Sequence, residues 1–241
     1  MKLVLFDFDS TLTAIDTTLP YGVFFSQHGD IRFHPCLLAL ALELARARIL
    51  SNTALKRRFA RLVLRGQSAE RIAELALAFC RSCLVEIVDE KMLGILRTHV
   101  QAGDEVYLLS ANLDCLLEPL VEQWKLAGVM ATKPVLCAGT FTGEIAGLAC
   151  HGREKLRRAV ERFGAEAVAK ATAYGNKNDR TLLEAVRTGY LVSRSRPAFP
   201  FGRLREQYRI LSEKPSRRDL VRGSVIELYP GSRATDAPDA A

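Results

Sequence analysis

The apolar run Leu3-Val4-Leu5-Phe6 stops at two carboxylates one residue apart, Asp7 and Asp9, and the polar turn Ser10-Thr11 follows at once. So short and apolar a run reads as a buried strand. Residues two apart share a face of a strand, and where the chain bends at a strand end both carboxylates can converge on one point above the sheet edge. Two acids that close repel and desolvate each other unless a cation or a shared proton neutralises them. The plainer alternative is an acidic loop capping a helix N-terminus. The pair therefore favours a buried strand whose end opens onto a charged site.

After Asp9 the pattern changes. From about residue 15 to 88 the chain reads as helix: Cys36 to Leu50, Thr53 to Arg65, and Ser68 to Val88 with Ser68 as N-cap. Leu55, Phe59, Leu62 and Val63 recur at helical spacing, and Gly66 separates two of the helices. Strand signals return after a helix near Asp89 to Gln101 and a Gly103-Asp104 turn: Val106 to Ser110, Ala171 to Gly175, and Tyr190 to Ser193. Short apolar strands alternating with helices indicate a parallel sheet covered on both faces. Between them, Gly139-Thr140-Phe141-Thr142-Gly143 reads as a hairpin turn. The layout is an α/β core interrupted after its first strand by an all-helical insert. The expected boundaries are 1–13 and 90–212 for the core, 14–89 for the insert and 213–241 for a C-terminal extension, disordered from Pro230.

At 49% hydrophobic residues, a chain of 241 can bury a sizeable core, yet no apolar run reaches the length of a membrane span. The nearest, Cys36 to Leu44, is short and carries Glu43. The strand opening at Lys2 leaves no room for a signal peptide, so the cysteines are expected to be reduced core residues of a cytoplasmic protein. Cys80-x-x-Cys83 lies within a helical pattern without a second ligand pair and is assigned to packing. The net charge of +7 and the arginines Arg194, Arg196, Arg203, Arg205, Arg209, Arg217, Arg218 and Arg222 suit anionic partners or a solvated basic face. Phosphorylated metabolites and peripheral contact with an anionic membrane both fit. No basic stretch interleaved with aromatics points to specific nucleic-acid binding.

Three further places carry chemistry. Ser110 ends an apolar strand before Ala111-Asn112, where a helix is expected to begin; its hydroxyl and the amides after it can bind phosphate oxygens, or the serine can simply cap that helix. Lys155, in His151-Gly152-Arg153-Glu154-Lys155, opens an amphipathic helix and either faces solvent or balances buried charge, with Arg153 as its competitor. Tyr174-Gly175-Asn176-Lys177-Asn178-Asp179 follows a strand, and Asp179 is either a site carboxylate or the cap of a helix from Thr181 to Val186.

Taken in order, Asp7-x-Asp9-Ser10-Thr11-Leu12-Thr13, Leu108-Leu109-Ser110, Lys155 and Gly175-Asn176…Asp179 resemble the four motifs of the haloacid dehalogenase superfamily. The helical insert sits where the phosphoserine-phosphatase-like subgroup carries its cap. The resemblance spans residues 2 to about 212. It implies a three-layer, Rossmann-like parallel sheet with an inserted helical cap, and a phosphomonoester hydrolase acting on a small phosphorylated metabolite through an aspartyl-phosphate. Asp7 would be the nucleophile and Asp9 the acid/base. Ser110, Asn112 and Lys155 would bind phosphate, Asp7, Asp9, Asn176 and Asp179 would hold Mg²⁺, and Asp16 at the cap entrance would touch substrate. The fourth motif departs from the family pattern: Asn176 replaces the usual first aspartate, and two residues rather than about three precede Asp179. An asparagine offers an oxygen to Mg²⁺ but no charge. The alternatives are a phosphatase of a lipid or lipid-precursor headgroup, and a catalytically weak phosphate-ligand binder.

Overall fold

The computed structural model describes residues 1–29, 31, 35–193 and 225–228. The arginines from Arg194 to Arg222 and the tail from Pro230 lie outside these residues. β1 (Leu3–Phe6) is the strand expected from the opening apolar run, and among the described residues it lies inside a sheet of six strands. The other strands are β2 (Glu105–Leu113), β3 (Gly128–Thr132), β6 (Thr172–Gly175), β7 (Thr188–Ser193) and β8 (Val225–Leu228), in the spatial order β3-β2-β1-β6-β7-β8. The first five are mutually parallel, while β8, from the C-terminal extension, adds antiparallel to β7. Between β3 and β6, β4 (Pro134–Cys137) and β5 (Thr140–Ile145) form a separate hairpin. Its turn falls at Ala138 and Gly139, both at positive φ, so Thr140 to Gly143 belong to a strand rather than to the expected turn.

Alternation along β1 divides the core. Val4 and Phe6 join the larger cluster on one face, and Leu5 joins the smaller one on the other. All three are fully buried, each contributing on the order of 2 kcal/mol. The smaller cluster lies under α8 (Arg153–Phe163), α9 (Ala165–Lys170) and α10 (Arg180–Ala185). The larger face takes α6 (Glu90–Gln101) and α7 (Asp114–Gln123), with Asp89 capping α6 at Met92 N. This is the three-layer, Rossmann-like α/β arrangement.

The helical insert comprises α1 (Thr18–His28), α2 (Pro35–Arg46), α3 (Asn52–Phe59) with a wider turn at Ala60–Leu64, α4 (Ala69–Ser82) and α5 (Leu84–Ile87). Ser51 and Ser68 accept hydrogen bonds from Ala54 N and Arg71 N and so cap α3 and α4, the second as the sequence indicates. Where the chain leaves and rejoins the core, Ala14 N donates to Ile87 O and Asp89 N to Leu12 O. The insert also packs elsewhere on the core. Tyr21 donates to Leu116 O of α7 at 2.9 Å, and Gly66 N and Phe141 N exchange bonds with Phe141 O and Gln67 O of hairpin and insert. Cys80 is buried beside the Tyr21 hydroxyl, in keeping with a packing role, and Cys83 is half-buried, whereas Cys36 and Cys137 are exposed and so are not the core residues expected of them.

Candidate active site

Strand register sets the site. Phe6 pairs with Leu108 of β2 and with Tyr174 of β6, so the carboxyl ends of the three strands lie level. Asp7 continues the ladder by donating its N–H to Tyr174 O at 2.9 Å. Ser110 and Asn176, each two residues beyond those partners, meet Asp7 at the same edge, where ligands of such sheets bind. The chain then turns sharply through Phe8–Leu12, with Ser10 in the left-handed region at φ 62°, and this turn carries Asp9 over the strand end.

Asp7 is buried and saturated with donors. Lys155 Nζ lies 2.6 Å from Oδ1, while Thr11 Oγ1 and Asn176 Nδ2 donate to Oδ2 at 2.8 and 2.7 Å. Lys155 reaches inward because it shares the buried face of α8 with Ala159; Arg153 stays exposed, which settles the competition between them. The same Nζ lies 2.6 Å from Asp179 Oδ1. Burial works against the Lys155 charge, but Asp179 and Asp7 outweigh it and hold its pKa above the ordinary lysine value. Burial, with Asp179 adding to it, pushes the Asp7 carboxyl up to about 6 against the pull of Lys155.

Asp9 is held differently. Its Oδ1 accepts from both Thr17 N (2.8 Å) and Thr17 Oγ1 (2.6 Å). Thr17 Oγ1 in turn accepts from Asn112 Nδ2 at 2.9 Å. Burial, then the neighbouring Asp16, raises Asp9 to about 7, so its carboxyl takes or gives up a proton near neutrality. Asp16 itself accepts from Thr18 N, on the insert side. Lys56 is the unexpected neighbour: it is 2% exposed on the inner face of α3, donates to Thr18 Oγ1 at 2.7 Å and acts electrostatically on Asp9. His151, half-buried before α8, has its pKa lowered by burial and by Lys155.

Ser110 and Asn112 are both fully enclosed and sit in a bulge of β2, whose pairing with β3 shifts between Leu109 and Leu113. No helix begins at Asn112, contrary to expectation; the strand runs on to Leu113 and α7 starts at Asp114. Ser110 Oγ accepts from Asn112 N, tightening the bulge, while the Asn112 amide spans to Thr17.

The Asn176–Asp179 loop is short because it forms a single tight turn, Lys177–Asp179, closed at both ends: Asn176 Oδ1 accepts from Asn178 N and Asp179 Oδ2 from Asn176 N. Gly175 makes this possible, since a Cβ there would sit 2.8 Å from Asp179 Cβ and Oδ2. Asp179 is thus both the residue before α10 and the partner of Lys155, with one oxygen on Lys155 and the other on the Asn176 backbone. Asn176 Nδ2 also reaches Asp9 O at 3.1 Å. Three polar groups therefore converge: Asp7 Oδ2, the Asp9 carbonyl and the Asn176 amide. Asp7 Oδ2 and the Asp9 carbonyl are hard oxygens of the kind Mg²⁺ takes beside its several waters, while the Asn176 amide presents its nitrogen to both. Among the described residues no group of three or more carboxylate, imidazole or thiol side chains is placed to hold a metal, so such an ion would depend on carbonyl and amide oxygens beside the Asp7 carboxylate.

Sequence reasoning missed Thr11, Thr17 and Lys56. The two threonines adjoin the first motif, but a hydroxyl there reads equally as a turn residue. Lys56 stands between Leu55 and Phe59 on a helix face whose inward turn only the packed insert reveals.

A family model for haloacid dehalogenase-like hydrolases matches residues 4–184. No curated protein matches the sequence. Among solved structures, a protein of unknown function from Bordetella pertussis Tohama I is similar at 24% identity and a TM-score of 0.71, over 86% of this chain and 95% of that one. A phospho-aspartyl intermediate analogue of phosphoserine phosphatase (17% identity, TM-score 0.53) and a substrate-bound phosphoserine phosphatase complex (19%, 0.54) each match over 78% of this chain and 84% of theirs. These similarities show the shared fold. With the family model covering β1, β2, β3 and β6 of the sheet, the insert and all four motif positions, the chain belongs to the haloacid dehalogenase-like hydrolases.

Proposed function

We propose that the protein is a Mg²⁺-dependent phosphomonoester hydrolase that works through an aspartyl-phosphate on Asp7. The observation that carries this reading is the buried carboxylate of Asp7, bonded to the Lys155 ammonium at 2.6 Å, with Asp9 two residues on raised by burial to about 7. A carboxylate can attack phosphorus only when its charge and that of the phosphate are offset. Lys155 supplies part of that offset. Mg²⁺, held by Asp7, the Asp9 carbonyl and Asn176, would supply the rest, with Asp179 acting through Lys155 and the Asn176 backbone.

In the first half-reaction an Asp7 oxygen bonds to phosphorus as the ester oxygen leaves. Asp9, protonated on Oδ2 because Thr17 occupies Oδ1, delivers that proton to the departing oxygen. In the second, the Asp9 carboxylate takes a proton from water as its oxygen attacks the phosphoryl group, and the Asp7 carboxylate is released with inorganic phosphate. The Ser110–Asn112 bulge lines the phosphate side. Residues 14–89 act as a cap that excludes water during transfer. Asp16, Lys56 and His151 face the leaving group, and Lys56 favours one carrying an acceptor or negative charge. No helix among the described residues is long and apolar enough to cross a membrane. A cytoplasmic setting would keep all six free thiols reduced.

The test is turnover of p-nitrophenyl phosphate with and without Mg²⁺, in the wild type and in Asp7→Asn. The variant keeps the shape of the side chain but not its nucleophilicity, so activity should fall to near background while the folded circular dichroism spectrum is retained. Beryllofluoride should add to Asp7 in the wild type. Undiminished turnover by a verified Asp7→Asn preparation removes the mechanism, and no metal-dependent turnover at all leaves the phosphate-binder reading.

A further inference from the structure

The fourth motif sets a choice that its single-residue departure forces. The amide of Asn176 has one oxygen, and that oxygen already accepts the Asn178 backbone N–H at 2.9 Å. A backbone N–H only donates, so this contact fixes which end of the amide faces which way. The nitrogen end points at Asp7 Oδ2 (2.7 Å) and Asp9 O (3.1 Å), both acceptors, and the three contacts agree with one another. A cation placed between those two oxygens therefore meets a donor rather than a ligand. An aspartate at 176 would face no such choice: one carboxylate oxygen could keep the Asn178 N–H while the other faced the ion.

We propose that Asn176 is a latch on the cation site. Its amide holds Asp7 and the Asp9 carbonyl together, and Mg²⁺ binds by turning the amide over, which releases the Asn178 N–H from its cap. Asn178 is exposed, so the freed N–H passes to water. The Asn176 N to Asp179 Oδ2 bond and the Lys155 bridge do not involve the side-chain amide and remain. Metal loading is thus coupled to opening one end of the Asn176–Asp179 turn. The inference rests on the Mg²⁺ reading given above.

Hydrogen exchange at the Asn178 backbone amide, followed by NMR alongside calorimetric Mg²⁺ titration, tests it in the full-length wild type and in Asn176→Asp. In chelator-treated wild type the amide should be protected, and saturating Mg²⁺ should speed its exchange about fivefold, as loss of one hydrogen bond requires. In Asn176→Asp the amide should stay protected with and without Mg²⁺. The added charge and the spared cap should lower the Mg²⁺ dissociation constant by about tenfold or more. Mg²⁺ heats showing a bound ion, with unchanged Asn178 exchange in the wild type, overturn the latch and leave the hydrolase reading standing. Absence of Mg²⁺ binding in both proteins overturns the metal reading itself, and the latch with it.

Discussion

Lys155 is the residue whose removal the structure prices most directly. Its Nζ lies 2.6 Å from both Asp7 Oδ1 and Asp179 Oδ1, so those two oxygens are at most about 5 Å apart, and all three side chains are 5% exposed or less. Lys155→Met keeps the length of the side chain and removes the charge. The two carboxylates then repel by roughly 3 kcal/mol at an effective dielectric constant of about 20. Removing one partner of a buried ion pair costs about 3–5 kcal/mol in comparable cases. For a domain of this size that corresponds to a fall in Tm of roughly 6–20 °C. Urea unfolding in chelator at pH 8 measures the loss. Adding Asp179→Asn to Lys155→Met should restore about half of it or more, since only one carboxylate then stays uncompensated. Lowering the pH to 5 should also shrink the loss, because Asp7, already raised to about 6 with Lys155 present, protonates more readily without it. A loss below about 1 kcal/mol at pH 8, or a double variant no more stable than the single one, would show that Lys155 is solvated rather than bridging the two acids.

Thr17→Val removes the hydroxyl between Asp9 Oδ1 and Asn112 Nδ2. It should lower kcat by about 10- to 100-fold, with the alkaline or acidic limb of the pH–rate profile displaced, whereas a purely structural role would leave that profile in place. Gly175→Ala drives a methyl into the Asp179 carboxylate and should cost about 1–3 kcal/mol in urea unfolding together with most of the activity. The folded protein holds protons on Asp7 and Asp9 up to about pH 6 and 7, whereas the unfolded chain releases them near 3.8. In chelator these two groups make stability fall as pH rises between about 4 and 7 and then level off; Mg²⁺, by favouring the ionised carboxylates, should flatten that slope. A pH profile of stability in chelator that Asp7→Asn with Asp9→Asn leaves unchanged between about pH 5 and 7.5 would refute the assignment, because the other titrating groups are common to both proteins.

What could be read from the sequence followed from local rules. The buried run Leu3–Phe6, the period of the insert helices and the Ser68 cap all show up in residue spacing and need no knowledge of distant contacts. Lys155 was legible only as one of two candidates: the choice over Arg153 depends on which face of α8 packs on the sheet. β8 went unread because an isolated four-residue strand, Val225–Leu228, gains its stability from the edge of β7 rather than from its own pattern. The end of β2 misled for a related reason. Ser-Ala-Asn reads as a cap and helix start, whereas pairing with β3 carries the strand through a bulge to Leu113. Lys56 and Thr17 join the site only because the insert folds back over the carboxyl ends of β1 and β2, a relation between segments far apart in the chain.

The shortened fourth motif is the place where local reading and geometry diverge most. Two residues rather than about three precede Asp179, and the loop closes on itself through two reciprocal bonds, Asn178 N to Asn176 Oδ1 and Asn176 N to Asp179 Oδ2; such a cap fixes a tight turn. Gly175 lets the Asp179 side chain fold back over its backbone, and the carboxylate arrives 2.6 Å from Lys155. The same economy has a consequence at Asn176. Its side-chain oxygen serves the turn, so its nitrogen is what the loop turns toward Asp7 and the Asp9 carbonyl. The deletion and the Asp-to-Asn departure therefore belong to one device. The turn that brings Asp179 to Lys155 uses the atom that would otherwise face a cation, which links the charge balance at Asp7 to the conformation of the four residues that follow β6.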